Sequence, residues 1–106
     1  MPIPTQTDAF RITLDLLSDG KAYSRKEAFQ KAKEELRITP EEAEVRLASG
    51  TPTYIGRVDW AIVYLFRGML LNRVSRGVYQ INDRGLEIVK TDMRGAEFSR
   101  WLNREI

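Results

Sequence analysis

The acidic side chains are the residues of this chain whose types and spacing come nearest to catalytic chemistry. A metal-dependent nuclease centre needs carboxylates that hold Mg²⁺ beside a lysine, often as an acid-x-Lys pair on adjacent strands. The one match to this spacing is Asp19-Gly20-Lys21, at a point where a helix is expected to end. A second acidic run, Glu41, Glu42 and Glu44, directly follows the helix-start signal Thr39-Pro40. A turn and a solvated helix surface explain these residues better, so we predict no catalytic or metal site.

The composition excludes several other kinds of reactive site. The chain contains no histidine and no cysteine, so it has neither a zinc site built on imidazole or thiolate nor a histidine general base. Phosphate-binding loops, Gly-x-Ser-x-Gly and dinucleotide-binding motifs are also absent. We therefore expect a non-catalytic chain that uses no cofactor.

Length and hydrophobicity predict one globular domain. The 106 residues are 42% hydrophobic, which is enough to bury a core without disulfides or a structural metal. No apolar run reaches about 18 residues, the length that suggests a membrane span, and the start MPIPTQT lacks the pattern of a signal peptide. We expect no membrane segment and a cytoplasmic location.

The first part of the chain predicts two helices with a short strand between them. Phe10, Leu14 and Leu17 share one face of a helix that Thr7 or Asp8 would cap and that Asp19-Gly20 would end. Ala22-Tyr23 is expected to be an edge strand of a later hairpin. Residues 24–27 (SRKE) form a capping box, which predicts a second helix over residues 25–36. Thr39-Pro40 predicts a short third helix that ends at about Leu47.

A longer helix followed by a hairpin is the strongest structural signal. Its apolar stripe predicts a helix that starts at Arg57 and stops at Gly68, and the stripe consists of Val58, Ala61, Ile62 and Leu65. Residues 71–74 and 78–81 are apolar runs joined by Ser75-Arg76-Gly77, a link typical of antiparallel strands. Asn82 then caps a helix over residues 83–90. This order predicts a mainly α fold with a small β-hairpin (α+β), a winged helix-turn-helix.

The charge distribution places the candidate binding residues on and around the helix that starts at Arg57 and the hairpin. The net charge is +2, but residues 54–84 hold five arginines against two aspartates, a local balance of +3. A basic excess of this kind would face phosphate. The candidate DNA-binding residues are Thr53, Tyr54, Arg57, Arg73, Ser75, Arg76 and Arg84.

Some of these residues have equally plausible structural roles. Arg57 could instead form a salt bridge with a local acid such as Asp59, and Tyr54 could be part of the core. Trp60 and Tyr64 could stack on a base, but packing against the first helix or under the wing is favoured. They are not counted among the candidate site residues.

The domain boundary is expected near residue 91. Residues 1–91 would be the DNA-binding domain, and residues 92–106 a C-terminal helix or linker with its helix over residues 96–104. An exposed tail with Phe98 and Trp101 is costly to solvate. We expect it to pack on the domain, on a second copy, or on a nuclease domain that is absent here.

Four motifs together resemble the N-terminal domain of Mrr-type restriction endonucleases. They lie at residues 14–20 (LDLLSDG), 24–27 (SRKE), 57–65 (RVDWAIVYL) and 76–85 (RGVYQINDRG). The resemblance implies a winged helix that binds DNA and guides a separate C-terminal nuclease domain, in enzymes that cut DNA carrying modified bases. Phe66-Arg67-Gly68-Met69 departs from the family's Lys-Lys-Ala-Gly. No nuclease domain is found in these residues, so cleavage is not carried over.

Three functions remain open at this point. The first is a duplex DNA-binding module of an Mrr-like, modified-DNA-directed restriction system, with the helix from Arg57 in the major groove and the wing at residues 75–77 on backbone or minor groove. The second is a protein-interaction winged helix that uses Trp60, Phe66 and Trp101, which leaves a homodimer open. The third is a small transcriptional regulator. For the first, the partner is double-stranded DNA, plain or modified.

Overall fold

Six helices and three short strands make up the computed structural model of this chain, which describes residues 3–106. In chain order the elements are α1 (Gln6–Leu16), β1 (Tyr23–Ser24), α2 (Arg25–Glu35), α3 (Pro40–Glu44), α4 (Thr53–Arg67), β2 (Leu71–Ser75), β3 (Val78–Ile81), α5 (Asp83–Val89) and α6 (Gly95–Glu105). The predicted mainly α fold with a small antiparallel hairpin is confirmed. The order is consistent with a winged helix-turn-helix. Within these residues no helix combines the length and apolarity needed to cross a bilayer.

The three strands form one antiparallel sheet in the order β1-β3-β2. Strand β3 is central, with Tyr79 opposite both Tyr23 of β1 and Arg73 of β2. The hairpin turns at Gly77, whose φ of 72° is one that glycine adopts without strain. The expected edge strand is therefore present, but one residue later than Ala22-Tyr23. Ser24 belongs to it because a helix-capping residue already has the extended backbone of a strand, here φ −69° and ψ 161°.

The side-chain caps predicted for three helices are confirmed. The side chains of Ser24 and Thr39 each accept a hydrogen bond from the amide of the third helical residue, whose carboxylate in turn accepts one from the backbone amide of the cap. The hydrogen bond from the Ser24 amide, and to a smaller extent the one from its side chain, lowers the pKa of Glu27. The amide of Thr39 does the same for the pKa of Glu42. Asn82 caps α5 by accepting from the Gly85 amide at 2.9 Å.

The predicted start of the first helix is wrong, because the helix begins earlier than Thr7 or Asp8. The N-cap is Thr5, whose hydroxyl accepts from the Asp8 amide at 3.2 Å. The third helix is also shorter than predicted and ends at Glu44 instead of about Leu47. Val45 is already extended, and Arg46 forms an isolated β-bridge with Pro52.

Helix α4 begins at Thr53, four residues before the predicted start at Arg57. The Gly56 amide donates to the Pro52 carbonyl at 3.0 Å, so the helical bonding includes this glycine. A Cβ at Gly56 would lie only 2.5 Å from Leu47 Cδ1. Gly56 therefore serves a close approach of Leu47 and does not interrupt the helix.

The core is formed by α1, α2, α4 and the sheet, and α6 completes it. Leu14, Val58 and Leu65 are buried in its centre. Phe98 and Leu102 of α6 have no exposed surface. Gly68, which caps the end of α4 as predicted, has Leu102 so close that an added Cβ would lie 2.5 Å from its Cδ1. The C-terminal helix thus packs on the domain, the first of the three expected alternatives.

A buried arginine ties α1 to the segment between α5 and α6. Arg11 is 1% exposed, and its guanidinium donates to the carbonyls of Met93 (2.6 Å), Val89 (2.8 Å) and Thr91 (3.1 Å). Its Nε also bonds Asp15 at 3.1 Å. The buried charge is therefore paired and its hydrogen-bonding capacity is used, as burial of a guanidinium requires.

Candidate nucleic-acid interface

The hairpin of β2 and β3, whose turn at residues 75–77 we call the wing turn, presents two arginines to solvent. Arg73 lies on β2 and Arg76 in the turn, and both are exposed, as is Ser75 between them. A bulge places Val74 between the paired residues Arg73 and Ser75. Within residues 3–106, neither arginine has a carboxylate within 4.0 Å. Their charges are therefore available to an external anion.

The start of α2 lies directly against this turn. The Arg25 amide donates to the Gly77 carbonyl at 3.2 Å. The Arg25 guanidinium, with a 48% exposed side chain, pairs with Asp59 of α4. Arg25 thus joins the wing turn to α4. We call Arg25, Arg73, Ser75 and Arg76 the wing surface.

The outer face of α4 continues from this junction. Trp60, Val63 and Arg67 share the side of the helix opposite Val58 and Leu65. Trp60 is 51% exposed and Arg67 is exposed. This face offers apolar surface and one cation.

Tyr64 lies between two other aromatic rings, those of Phe10 and Trp60. Its ring stacks on Phe10 of α1 with centroids 5.3 Å apart. Trp60 packs on the other side of Tyr64 at 5.2 Å. The favoured prediction, packing against the first helix, is therefore confirmed for Tyr64. Trp60 packs on Tyr64 but is half exposed at the surface.

Thr53 and Tyr54 lie in the interior of the domain. They are 7% and 8% exposed. The Thr53 amide donates to the Val45 carbonyl at 2.8 Å, and Tyr54 belongs to the main core cluster. The burial follows from the earlier start of α4, which turns both residues inward in its first turn.

Arg57 holds the N-terminal segment. Its Nη1 donates to the Pro4 carbonyl at 2.8 Å, and its own carbonyl accepts from Gln6 Nε2 at 2.9 Å. Asp59, the acid considered as its partner, pairs with Arg25 instead. The prediction that Arg57 lies at a helix start is wrong, because it is one turn inside α4. No free helix-start amides therefore surround it.

Arg84 faces α6. It pairs with Glu105, and its guanidinium lies 5.4 Å from the centre of the Trp101 ring. Trp101 also stacks on Phe98. These contacts place Arg84 in the α5–α6 contact, whereas the wing turn lies at the other end of β3.

The acid-x-Lys match at Asp19 is a turn, as expected. Asp19 accepts hydrogen bonds from the Lys21 amide (3.0 Å), the Tyr23 hydroxyl (2.5 Å) and Lys31 (3.2 Å). Partial desolvation acts to raise the pKa of Asp19, but the bonds from Tyr23, Lys21 and Lys31 outweigh it and lower the value to about 2. Among residues 3–106, no group of three or more acids is arranged to hold a metal ion.

Sequence reasoning did not include Arg25, Asp59 or Arg67 among the candidate site residues. Arg25 was treated as part of a capping box, Asp59 as an alternative partner of Arg57, and Arg67 as one of the five arginines of residues 54–84 and as part of a departure from the family motif. The position of Arg25 could have been inferred from the predicted pairing of β1 with the hairpin. Because Ser24 pairs with Val78, Arg25 comes to lie against the wing turn. The Arg25–Asp59 contact spans 34 positions and had no local signal.

The fold and this surface define a small α+β domain whose hairpin presents unpaired cations. Residues 7–91 match the family model described as the Mrr N-terminal domain. The chain therefore belongs to the Mrr N-terminal domain family, which gives it the context of restriction systems. No curated protein and no solved structure gives a significant match.

Proposed function

We propose that this chain is a non-catalytic duplex DNA-binding module of an Mrr-like restriction system. The wing surface would contact the DNA backbone or minor groove, and the outer face of α4 would approach the major groove. A preference for modified bases is part of this proposal and rests on the family alone. The proposed parent activity, cleavage, would require a nuclease domain outside these residues.

The wing arginines carry the proposal. Arg73 and Arg76 are exposed next to a turn and have no acidic partner within residues 3–106. Arg11, Arg25, Arg84 and Arg94 each have one, and other exposed arginines without one in this range, such as Arg100 and Arg104, lie on α6 and not on the hairpin. Solvent-facing cations without partners on a projecting hairpin suit phosphate contacts, which supply most of the affinity of DNA-binding proteins.

The contacts of the other candidates revise the proposed interface. Thr53 and Tyr54 are buried, Arg57 binds the N-terminal segment, and Arg84 binds α6. We therefore replace Arg57 by Trp60, Val63 and Arg67 as the part of α4 that meets the groove. Apolar side chains there suit the methyl group of a pyrimidine.

The proposal predicts that removing both wing arginines weakens duplex binding. We expect Arg73→Ala with Arg76→Ala to lower the affinity for a labelled duplex by about tenfold for each arginine. The slope of log K against log salt should become less steep by about 2, since two phosphate contacts are lost. Fluorescence anisotropy over a salt series measures both quantities.

Arg100→Ala with Arg104→Ala is the matched control. Both arginines are exposed on α6 and carry the same total charge. If the wing and α6 double variants lose affinity equally, only net charge matters and the wing surface has no special role. Undetectable duplex binding by the wild type at low salt would contradict the function itself.

Self-association is the second candidate function, favoured by an apolar surface beside β2. Met69 is 67% exposed. Its backbone has a left-handed φ of 65°, a conformation that residues other than glycine seldom adopt. With Phe66 and Leu71 it lines an open pocket next to the edge strand. Trp101, proposed for this role from the sequence, is instead stacked on Phe98. A mass that doubles with concentration in light scattering, without duplex binding, would favour this candidate.

A further inference from the structure

Asp59 is the acid that pairs with Arg25 of the wing surface. Residues 54–84 contain only two acids, and the second, Asp83, lies in the first turn of α5. Asp59 pairs with Arg25, whose amide bonds to the wing turn at Gly77. On α4 it directly precedes Trp60 of the outer face. A negative charge thus lies where the wing surface meets the helix that would approach the groove.

The Asp59 carboxylate is poorly satisfied for a purely structural group. Oδ2 pairs with Arg25, while Oδ1 is buried and has no hydrogen-bond partner within residues 3–106. A buried acceptor without a partner destabilises the fold. The ion pair between Asp59 and Arg25 would offset this cost. The Arg25 side chain is 48% exposed, however, so water screens the pair and makes its contribution small. Stability alone therefore explains Asp59 poorly.

The pair has a direct consequence for DNA binding. While Arg25 is paired with Asp59, its charge is offset, and the carboxylate repels a phosphate that approaches the Arg25 guanidinium. A DNA phosphate and the Asp59 carboxylate compete for the Arg25 guanidinium, because each is an oxyanion whose oxygens can accept hydrogen bonds from its N–H groups. Like charges facing each other across an interface disfavour the wrong partner.

We infer that Asp59 restrains Arg25 and thereby limits the affinity of the wing surface for DNA of arbitrary sequence. Productive binding exchanges Asp59 for a phosphate oxygen on the Arg25 guanidinium. Arg25 is then a conditional phosphate contact, and Asp59 is a specificity-determining residue that does not touch the DNA. This inference rests on the proposed duplex binding.

The test removes the charge of Asp59 and keeps its shape. We expect Asp59→Asn to bind a labelled duplex of random sequence about threefold to tenfold tighter than the wild type at low salt. The slope of log K against log salt should become steeper by about 1, because Arg25 becomes one further phosphate contact. Asp83→Asn is the matched control, an exposed acid of the same stretch, and should change the affinity less than about twofold.

A double-mutant cycle with Arg25→Ala assigns the gain to the ion pair. Arg25→Ala should weaken the wild type only slightly, but should abolish the gain in the Asp59→Asn background. Asp59→Ala, which also removes the unsatisfied Oδ1, provides a second variant, and thermal unfolding by circular dichroism verifies that each variant is folded. A gain that persists without Arg25 would overturn the inference.

The outcomes separate this inference from the proposed function. Wild-type binding with no gain in folded Asp59→Asn or Asp59→Ala overturns the inference and leaves duplex binding intact. Binding by Asp59→Asn but not by the wild type supports a restraint by Asp59. Absence of duplex binding in the wild type and both variants overturns the function and the inference together.

Discussion

Replacing Arg11 by methionine is expected to lower the free energy of unfolding by about 3–5 kcal/mol. Methionine keeps much of the side-chain volume but removes every donor. The carbonyls of Val89, Thr91 and Met93 would lose the bonds that now satisfy them at 2.6–3.1 Å. Chemical denaturation followed by circular dichroism measures the change.

Arg94→Ala is the control for this prediction, because Arg94 binds the same acid. It pairs with Asp15 at 2.9 Å, but its side chain is 57% exposed, against 1% for Arg11. An exposed pair contributes little, so we expect a loss below about 1 kcal/mol. Equal losses in the two variants would show that Asp15 and not the carbonyl contacts accounts for the effect of Arg11.

Replacing Phe98 by alanine is the second large effect, with an expected loss of about 3–5 kcal/mol. The ring is fully buried, stacks on Trp101 at 5.8 Å and lies in the core shared by α1, α4 and α6. Alanine would leave a cavity that rigid helices cannot fill. Thermal and denaturant unfolding would measure the loss.

Ser99→Ala, next to Phe98 on the same helix, is the control. Ser99 is half-buried and the change removes only one hydroxyl, so it should change the free energy of unfolding by less than about 1 kcal/mol. The comparison also bears on the domain boundary, because residues 92–106 were expected to form a separate helix or linker. A small loss in Phe98→Ala would mean that α6 is an appendage, and residues 1–91 would then fold without it.

Local signals account for the parts of the fold that could be predicted from the sequence. The capping boxes at Ser24 and Thr39 and the Asn82 cap each depend on residues three positions apart. The Ser75-Arg76-Gly77 link also encodes its hairpin locally, and its arginines are exposed as a wing requires.

The failures at the candidate site depend on contacts between segments that are separated in the sequence. Gly56 looks like a break in a helix, and only the approach of Leu47 shows why it is inside one. The start of α4 at Thr53 then buries Thr53 and Tyr54 and moves Arg57 inside the helix.

The partners of the arginines could not be predicted from the sequence either. An acid close to an arginine in the sequence suggests an ion pair, but it does not show which group the arginine binds in the fold. Arg57 lies two positions from Asp59 but binds Pro4, 53 positions away. Arg11 reaches carbonyls about 80 positions away, between α5 and α6. The proposed interface therefore keeps the wing residues of the sequence prediction and omits those whose contacts only the tertiary fold defines.

Chemical-shift mapping of a ¹⁵N-labelled chain titrated with a short duplex tests the central claim most directly. We predict that the largest shifts of amide signals lie at Arg25, at residues 73–77 and along the outer face of α4 at Trp60 and Arg67. The shifts should diminish as salt is added, since phosphate contacts dominate. Shifts confined to α5 and α6, or to the N-terminal segment around Arg57, would contradict DNA binding through the wing surface.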